Sequence, residues 1–290
     1  MAAALVALAL GACRHPVSDA PGRPPSPIAA PDAALVPIVL PPWKDVEEPG
    51  RRRILESEVR LAGVVAERRS TKPDLAAAYG ELGKAYHSFG LHHFAIPCYE
   101  NAGRLEPAAF RWRYYRARAH WHLREAREAQ AALDEALRLE PRNLPAVLLQ
   151  ARMHRAAERL EPARAGYELA LQISPDCTTA QYELGDLEFK AGEVERAIGH
   201  FEAALASQPR ATRTHYQLAQ AYRRLGNAEK AEFHMARRGE TDIFPPPDPL
   251  MEEVAQLNPR IFARRGVSAL RNGRYEEAVA QLSVAVQDSP

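Results

Sequence analysis

The chain has 290 residues, a net charge of +1, 26% charged residues and only 7% aromatics. That balance offers no overall field to draw in nucleic acid or an anionic membrane surface. The 3 cysteines are too few and too scattered for a disulfide framework or a cysteine-based metal site. No GxSxG, HExxH, P-loop or GxGxxG occurs, which removes the signatures of serine hydrolases, zinc peptidases, P-loop enzymes and dinucleotide-binding enzymes.

Residues 1–12 are an apolar run ending at Cys13. About a dozen apolar residues is too short to span a bilayer and right for the hydrophobic core of a signal peptide. Leu10-Gly11-Ala12-Cys13 resembles a bacterial lipobox, although no basic residue precedes the run. The resemblance implies a signal peptide over 1–12, lipidation of Cys13, and an exported, membrane-anchored lipoprotein facing the periplasm. Residues 13–49 are proline-rich, with Pro24-Pro25 and Pro41-Pro42, and read as an extended, semi-stiff tether. The apolar patch Ala33–Leu40 leaves open the alternative that this stretch packs on the first helices of the folded domain. Residues 50–73 form the first predicted helix. Ile54, Val59, Leu61, Val64 and Val65 mark its apolar face, Pro73 ends it, and it is expected to cap the next helix pair.

From there the chain repeats itself. Ala95, Ala129, Ala163, Ala197 and Ala231 are spaced 34 residues apart. Each is followed four residues on by a large apolar side chain: Tyr99, Leu133, Tyr167, Phe201 and Met235. Second alanines follow at Ala102, Ala136, Ala170 and Ala204, and prolines at Pro107, Pro141, Pro175 and Pro209. A fixed period of this length, with small residues allowing close approach and a large one filling the gap, describes a helix–turn–helix unit that must stack to bury its apolar face. Leu82-Gly83, Leu184-Gly185 and Leu218-Ala219, with Tyr86, Tyr222 and the turn glycines Gly90, Gly192 and Gly226, resemble the tetratricopeptide repeat family. The second and third copies depart, carrying Arg116-Ala117 and Gln150-Ala151 in place of Leu-Gly, and His120 and His154 in place of the tyrosine. The resemblance implies an all-α fold, a right-handed α-solenoid with five repeats over 74–243. A proline-rich insertion with a short helix marked by Met251, Val254 and Leu257 spans 244–258. A sixth copy spans 259–290, with no polar capping helix after it, so a partner or further chain is expected to cover that end.

The same resemblance identifies the first-helix positions that face the concave groove. They include Lys84, Arg111, Tyr114, Arg118, Trp121, Arg152, Arg155, Tyr182, Phe189, Lys190, Arg213, Tyr216, Arg223 and Arg224, with Arg260 and Arg271 in the last copy. Eleven of these positions are Lys or Arg and one, Asp186, is acidic. The acids are expected mostly on the second helices, at Glu100, Glu135, Glu168 and Glu202. A basic, aromatic groove suits an acidic extended peptide, because Arg pairs bidentately with carboxylates and rings pack on apolar side chains. A solvated face of long-stemmed arginines is the competing reading. His87, His92 and His93 read as surface residues around the first turn, since no Cys or carboxylate is placed to complete a metal site. Cys98 and Cys177 read as structural thiols.

The sequence therefore points to a non-enzymatic scaffold binding a protein or peptide partner, with no catalytic residue, cofactor, metal, small molecule or nucleic acid expected. Two alternatives remain at this stage: a helical repeat that binds single-stranded nucleic acid through the same groove, and an accessory subunit or fragment of a larger enzyme complex.

Overall fold

A computed structural model describes residues 22–46, 48–67, 69–241, 243 and 245–287. After a lone helix α1 (Glu48–Ala66) come five helix pairs: α2 (Lys72–Ser88) with α3 (His92–Leu105), α4 (Phe110–His122) with α5 (Ala126–Leu139), α6 (Leu144–Ala156) with α7 (Leu160–Ile173), α8 (Thr178–Ala191) with α9 (Val194–Ser207), and α10 (Arg213–Arg224) with α11 (Ala228–Ala236). Each first helix packs on its own second helix, and each second helix packs on the next first helix. Successive first helices also touch, α2 with α4 and α8 with α10, whereas second helices show no contact of that extent. The first helices therefore line the inner wall of an all-α solenoid.

The repeat works through one interlock per copy. Tyr99, Leu133, Tyr167 and Phe201 are fully buried between the two helices of their pair. A Cβ on Gly83 would meet Tyr99 at 2.7 Å and one on Gly185 would meet Phe201 at 2.8 Å, so the ring occupies the space that glycine leaves. Where the first helix carries Ala117 or Ala151, the second supplies the small residue. In the third copy that residue is Gly166, where a Cβ would lie 2.8 Å from that of Ala151; in the second, Ala117 and Ala132 are both buried. The polar residues at the leucine position are matched as well: Arg116 donates to Glu135 at 2.8 Å and Gln150 to Asp134 at 2.8 Å. The turn recurs every 34 residues in a left-handed backbone conformation, at Gly90, Arg124, Glu158, Gly192 and Gly226. Arg124 (φ 64°) and Glu158 (φ 56°) hold it without glycine, at a cost of about 1–2 kcal/mol each.

Three expectations need correction. Residues 23–46 are not an extended tether. Ile28 and Ile38 pair as an antiparallel bridge. Ile28, Leu35, Ile38, Leu40, Trp43 and Val46 are buried in one core with Tyr79, Leu82, Tyr86 and Tyr99. Asn101 on α3 brackets the segment, accepting from the Val36 N–H at 2.8 Å and donating to its carbonyl at 2.7 Å. Proline removes backbone donors, but the intervening Ile, Leu and Trp side chains bury enough apolar surface to hold the stretch down. The N-terminal helix also ends earlier than Pro73. It stops at Ala66, and Pro73 belongs to the first turn of α2, where Thr71 and Asp74 form a reciprocal capping box. Glu100, Glu135, Glu168 and Glu202 do lie on second helices; the third correction is that further acids reach the inner wall, and it belongs to the groove. The signal-type run and Cys13 lie outside the described residues. No helix among the described residues is long and apolar enough to cross a membrane.

Beyond the fifth pair, α12 (Pro249–Ala255) turns back and lies across α2 and α4. It is followed by a hairpin of α13 (Pro259–Arg271) and α14 (Tyr275–Gln287). Gly266 receives Leu282 there, 16 residues on, the same separation as Gly83 and Tyr99.

Candidate protein-binding groove

Arg152 on α6 is the centre of the inner wall. It shares a cavity of about 650 Å³ with Arg118 and Leu148, closed on the far side by Pro245–Pro247, Met251, Glu252 and residues of α13 and α14. A second cavity, also about 650 Å³, adds Trp121, Arg155, Leu187 and Lys190. A third, about 250 Å³, joins Arg152 to Tyr182 and Arg213. Arg111 opens on a separate cavity of about 780 Å³ beside the proline run. Phe189, Tyr216, Arg223 and Arg224 line none of these. Arg224 instead lies 5.6 Å from the Phe189 ring centre and donates to the Phe189 carbonyl at 3.2 Å, while Tyr216 stands exposed and accepts from Gln220.

The positive charge of this wall is partly neutralised by Asp186 and by further acids that the residue spacing did not place there. Lys84 pairs with Glu81 at 2.9 Å and with Glu253 at 3.2 Å. Arg155 reaches Glu183 at 3.0 Å and Asp186 at 3.3 Å, and Lys190 reaches Asp186 at 2.6 Å. Arg111 pairs with Glu106 at 3.1 Å and lies over the Trp112 ring. Glu135 does sit on a second helix and serves Arg116, and Glu202 accepts from the Tyr222 hydroxyl. Glu81 and Glu183 are on first helices, one residue from positions taken as groove-facing, and Asp248, Glu252 and Glu253 come from the insertion. Burial raises the Glu183 carboxyl, opposed by Arg155 and Arg152. Among the described residues neither Arg118 nor Arg152 pairs with a carboxylate, and the Arg118 Nε is buried without an acceptor.

Two tyrosines of α4 are engaged by the insertion. Tyr114 is buried and its hydroxyl donates to Asp248 at 2.5 Å; the Tyr115 hydroxyl donates to Glu253 at 3.1 Å. Burial raises both phenols, with the facing carboxylates reinforcing the effect and Arg118 opposing it at Tyr114. Tyr115 and the insertion's acids escaped the sequence reading. The one available signal was charge: residues 244–259 hold three acids and no Lys or Arg.

Of the three histidines expected at the surface, His93 is exposed, His92 is half-buried and His87 departs from expectation. His87 is buried rather than exposed, and its ring contacts those of His92 (centroids 4.8 Å apart) and His122 (5.7 Å). His92 and His122 stack at 4.7 Å. Burial, then the neighbouring imidazoles, lowers His92 to about 4 and His87 well below its ordinary value, so the cluster is neutral near pH 7. Among the described residues no group of three or more His, Cys, Asp or Glu is arranged to hold a metal ion. Cys98 and Cys177 are buried free thiols, and burial pushes both upward.

The wall, its helix pairs and its 34-residue step are those of an all-α helical-repeat solenoid. Residues 182–241 match the family model described as tetratricopeptide repeat. Solved structures with the same fold include MamA (17% identity, TM-score 0.52, covering 56% of this chain and 88% of that one). A MamA fragment from Desulfovibrio magneticus RS-1 is similar (19% identity, TM-score 0.52, 56% and 92%). So is YrrB, described as a TPR protein with an unusual peptide-binding site (20% identity, TM-score 0.50, 56% and 84%). No curated protein matches the chain in sequence.

Proposed function

We propose that the chain is a non-enzymatic scaffold that captures a protein partner on its inner wall, through the Arg118–Arg152 region. The observation that carries this reading is the sharing of Arg152 by three adjoining cavities that also hold Arg118, Trp121, Tyr182 and Arg213. Among the described residues neither Arg118 nor Arg152 forms an ion pair with a carboxylate, so their guanidinium groups are placed to pair with an incoming acidic side chain. The peptide-binding site described for YrrB supports peptide capture as a use to which this fold is put. Charge reversal of Arg111, Arg118 and Arg152 together to Glu is expected to abolish partner capture from envelope extracts while leaving the helical circular dichroism unchanged. Recovery of the same partners by the triple variant sinks the groove reading.

The location belongs to the same proposal. Leu10–Cys13 supports export and lipid anchoring, which would hold the solenoid at the periplasmic face of a membrane in the bacterial envelope. Cys13→Ser is expected to move the protein from the membrane fraction to the soluble one, and unchanged fractionation removes the anchor from the account.

A further inference from the structure

The insertion between the fifth and sixth copies does something a spacer has no need to do: it occupies the inner wall. Its sequence, Pro-Pro-Pro-Asp-Pro-Leu-Met-Glu-Glu-Val-Ala-Gln-Leu-Asn over 245–258, carries three carboxylates and no basic residue. Asp248 caps α12 by accepting from the Met251 N–H at 3.2 Å and takes the Tyr114 hydroxyl at 2.5 Å. About a turn and a half on, Glu253 takes Lys84 and the Tyr115 hydroxyl. Between them Leu250 and Met251 pack against both the first and second core clusters, so they fill the seam between the first two repeats. Val254 is buried in the first of these clusters, and Asn258 donates to the Ser88 carbonyl at 2.7 Å.

We propose that residues 245–258 are an internal ligand of the inner wall, and that the external partner is a short acidic amphipathic helix of the same pattern, which takes their place. This rests on the reading of that wall as a protein-binding groove and names the partner's chemistry: a carboxylate capping the helix start, two apolar residues, then a second carboxylate about a turn and a half further on. A seven-residue helix is far below the length at which a helix holds itself in water, so the wall's contacts keep α12 folded. The contacts that charge and hydrogen bonding supply are also what an incoming acidic helix supplies, and the apolar seam sits between them. The connection from α11 keeps the segment at an effective concentration of roughly millimolar. A peptide with an affinity of its own of ~10 µM is then screened about a hundredfold, and capture of a partner requires release of α12.

The test uses the full chain and a fluorescein-labelled peptide of residues 245–258, followed by anisotropy. A variant with the cis segment weakened (Asp248→Asn, Leu250→Ala and Glu253→Gln) is expected to bind the peptide at least tenfold tighter than the unaltered chain. Adding Lys84→Glu to that variant is expected to abolish binding, and a peptide carrying Glu253→Lys is expected to restore it. No gain in the weakened variant, with its circular dichroism intact, overturns the proposal and makes α12 a fixed plug. Should the weakened variant misfold, hydrogen exchange on the unaltered chain decides. Amides 251–255 exchanging at least a hundredfold faster than those of α2 and α4 support a displaceable ligand, and equal protection overturns it. The two readings fail separately. Absent peptide binding with arginine-dependent capture intact ends this inference alone, whereas peptide binding with capture indifferent to Arg118 and Arg152 ends the wider groove reading.

Discussion

Glu58→Ala is expected to destabilise the N-terminal third of the molecule by about 3–5 kcal/mol, the range for breaking a buried ion pair from one side. Glu58 is fully buried on α1 and accepts from the Arg23 guanidinium at 2.7 and 2.8 Å and from the Tyr86 hydroxyl at 2.9 Å. The Arg23 side chain is itself only 6% exposed, lies 4.1 Å from the centre of the Trp43 ring, and donates a further bond to the Pro41 carbonyl. Removing the carboxylate strands that charge and orphans the phenol together. Much of the loss is thus the cost of an unpaired buried cation rather than the worth of the pair. Two comparisons separate those contributions. Glu58→Gln keeps one acceptor oxygen, enough for the Arg23 Nη2 and Tyr86 bonds but not for the Arg23 Nε one, and is expected to lose less than alanine. Glu58→Met with Arg23→Met removes both ions and is expected to recover part of the single-variant loss, a coupling that a double-mutant cycle measures. Urea unfolding gives the magnitude and limited proteolysis of residues 23–46 gives the place. A loss under about 1 kcal/mol, or unchanged cleavage of that segment, would mean the ion pair does not hold it down.

That segment also shows where a sequence stops being readable. The repeat was legible because each copy states it locally: a small residue, a large one four positions on, and a turn, at a fixed step. The structure follows that pattern even where copies two and three lose the Leu-Gly pair, and in the third copy Gly166 returns the lost space from the other helix. Burial of 23–46 is hinted at locally only by the apolar patch Ala33–Leu40, which leaves a tether and a packed segment both open. Proline-rich composition gives the conformational bias of the free chain, while the outcome is set by Asn101, Glu58 and Tyr86, which lie up to 65 residues away from the residues they hold. The helical period of 249–255 was legible and its position across α2 and α4 was not, because amphipathicity says which face is apolar and not what that face meets. The groove's electrostatics failed for the same reason. Counting groove positions gave eleven cations against one acid, yet Glu81 and Glu183 sit a single residue off those positions and still reach Lys84 and Arg155. Glu188 shows the limit most clearly. It occupies the position that Tyr86 and Tyr222 hold in their copies, is fully buried, and is held by Arg196 at 2.9 Å, with Arg164 and His200 each at 3.5 Å.

Phe201→Ala is expected to cost about 3–5 kcal/mol, the range for emptying a buried aromatic site, and the damage is expected to stay local. The ring fills the space over Gly185, packs against Tyr182 with centroids 5.6 Å apart, and shares a core with Leu218 and Tyr222 of the next pair. In a solenoid each unit is stabilised chiefly by its neighbours, and α12, which crosses α2 and α4, has no residue in the Phe201 core, so amide exchange should rise across α8 to α11 and remain unchanged in α2 and α3. A repair variant tests the interlock itself. The second copy joins Leu133 to Ala117 where this copy joins Phe201 to Gly185. Phe201→Leu alone is therefore expected to leave a gap beside Gly185, and adding Gly185→Ala is expected to recover part of the loss. The recovery has two sources, a methyl group in the gap and about 1 kcal/mol of helix propensity. Gly185→Ala by itself separates them: against the native ring its Cβ would lie 2.8 Å from Phe201, so it is expected to destabilise despite the better propensity. If the alanine stabilises equally with Phe or Leu at 201, or if exchange rises evenly from α2 to α11, the copies do not lock one at a time through this pair.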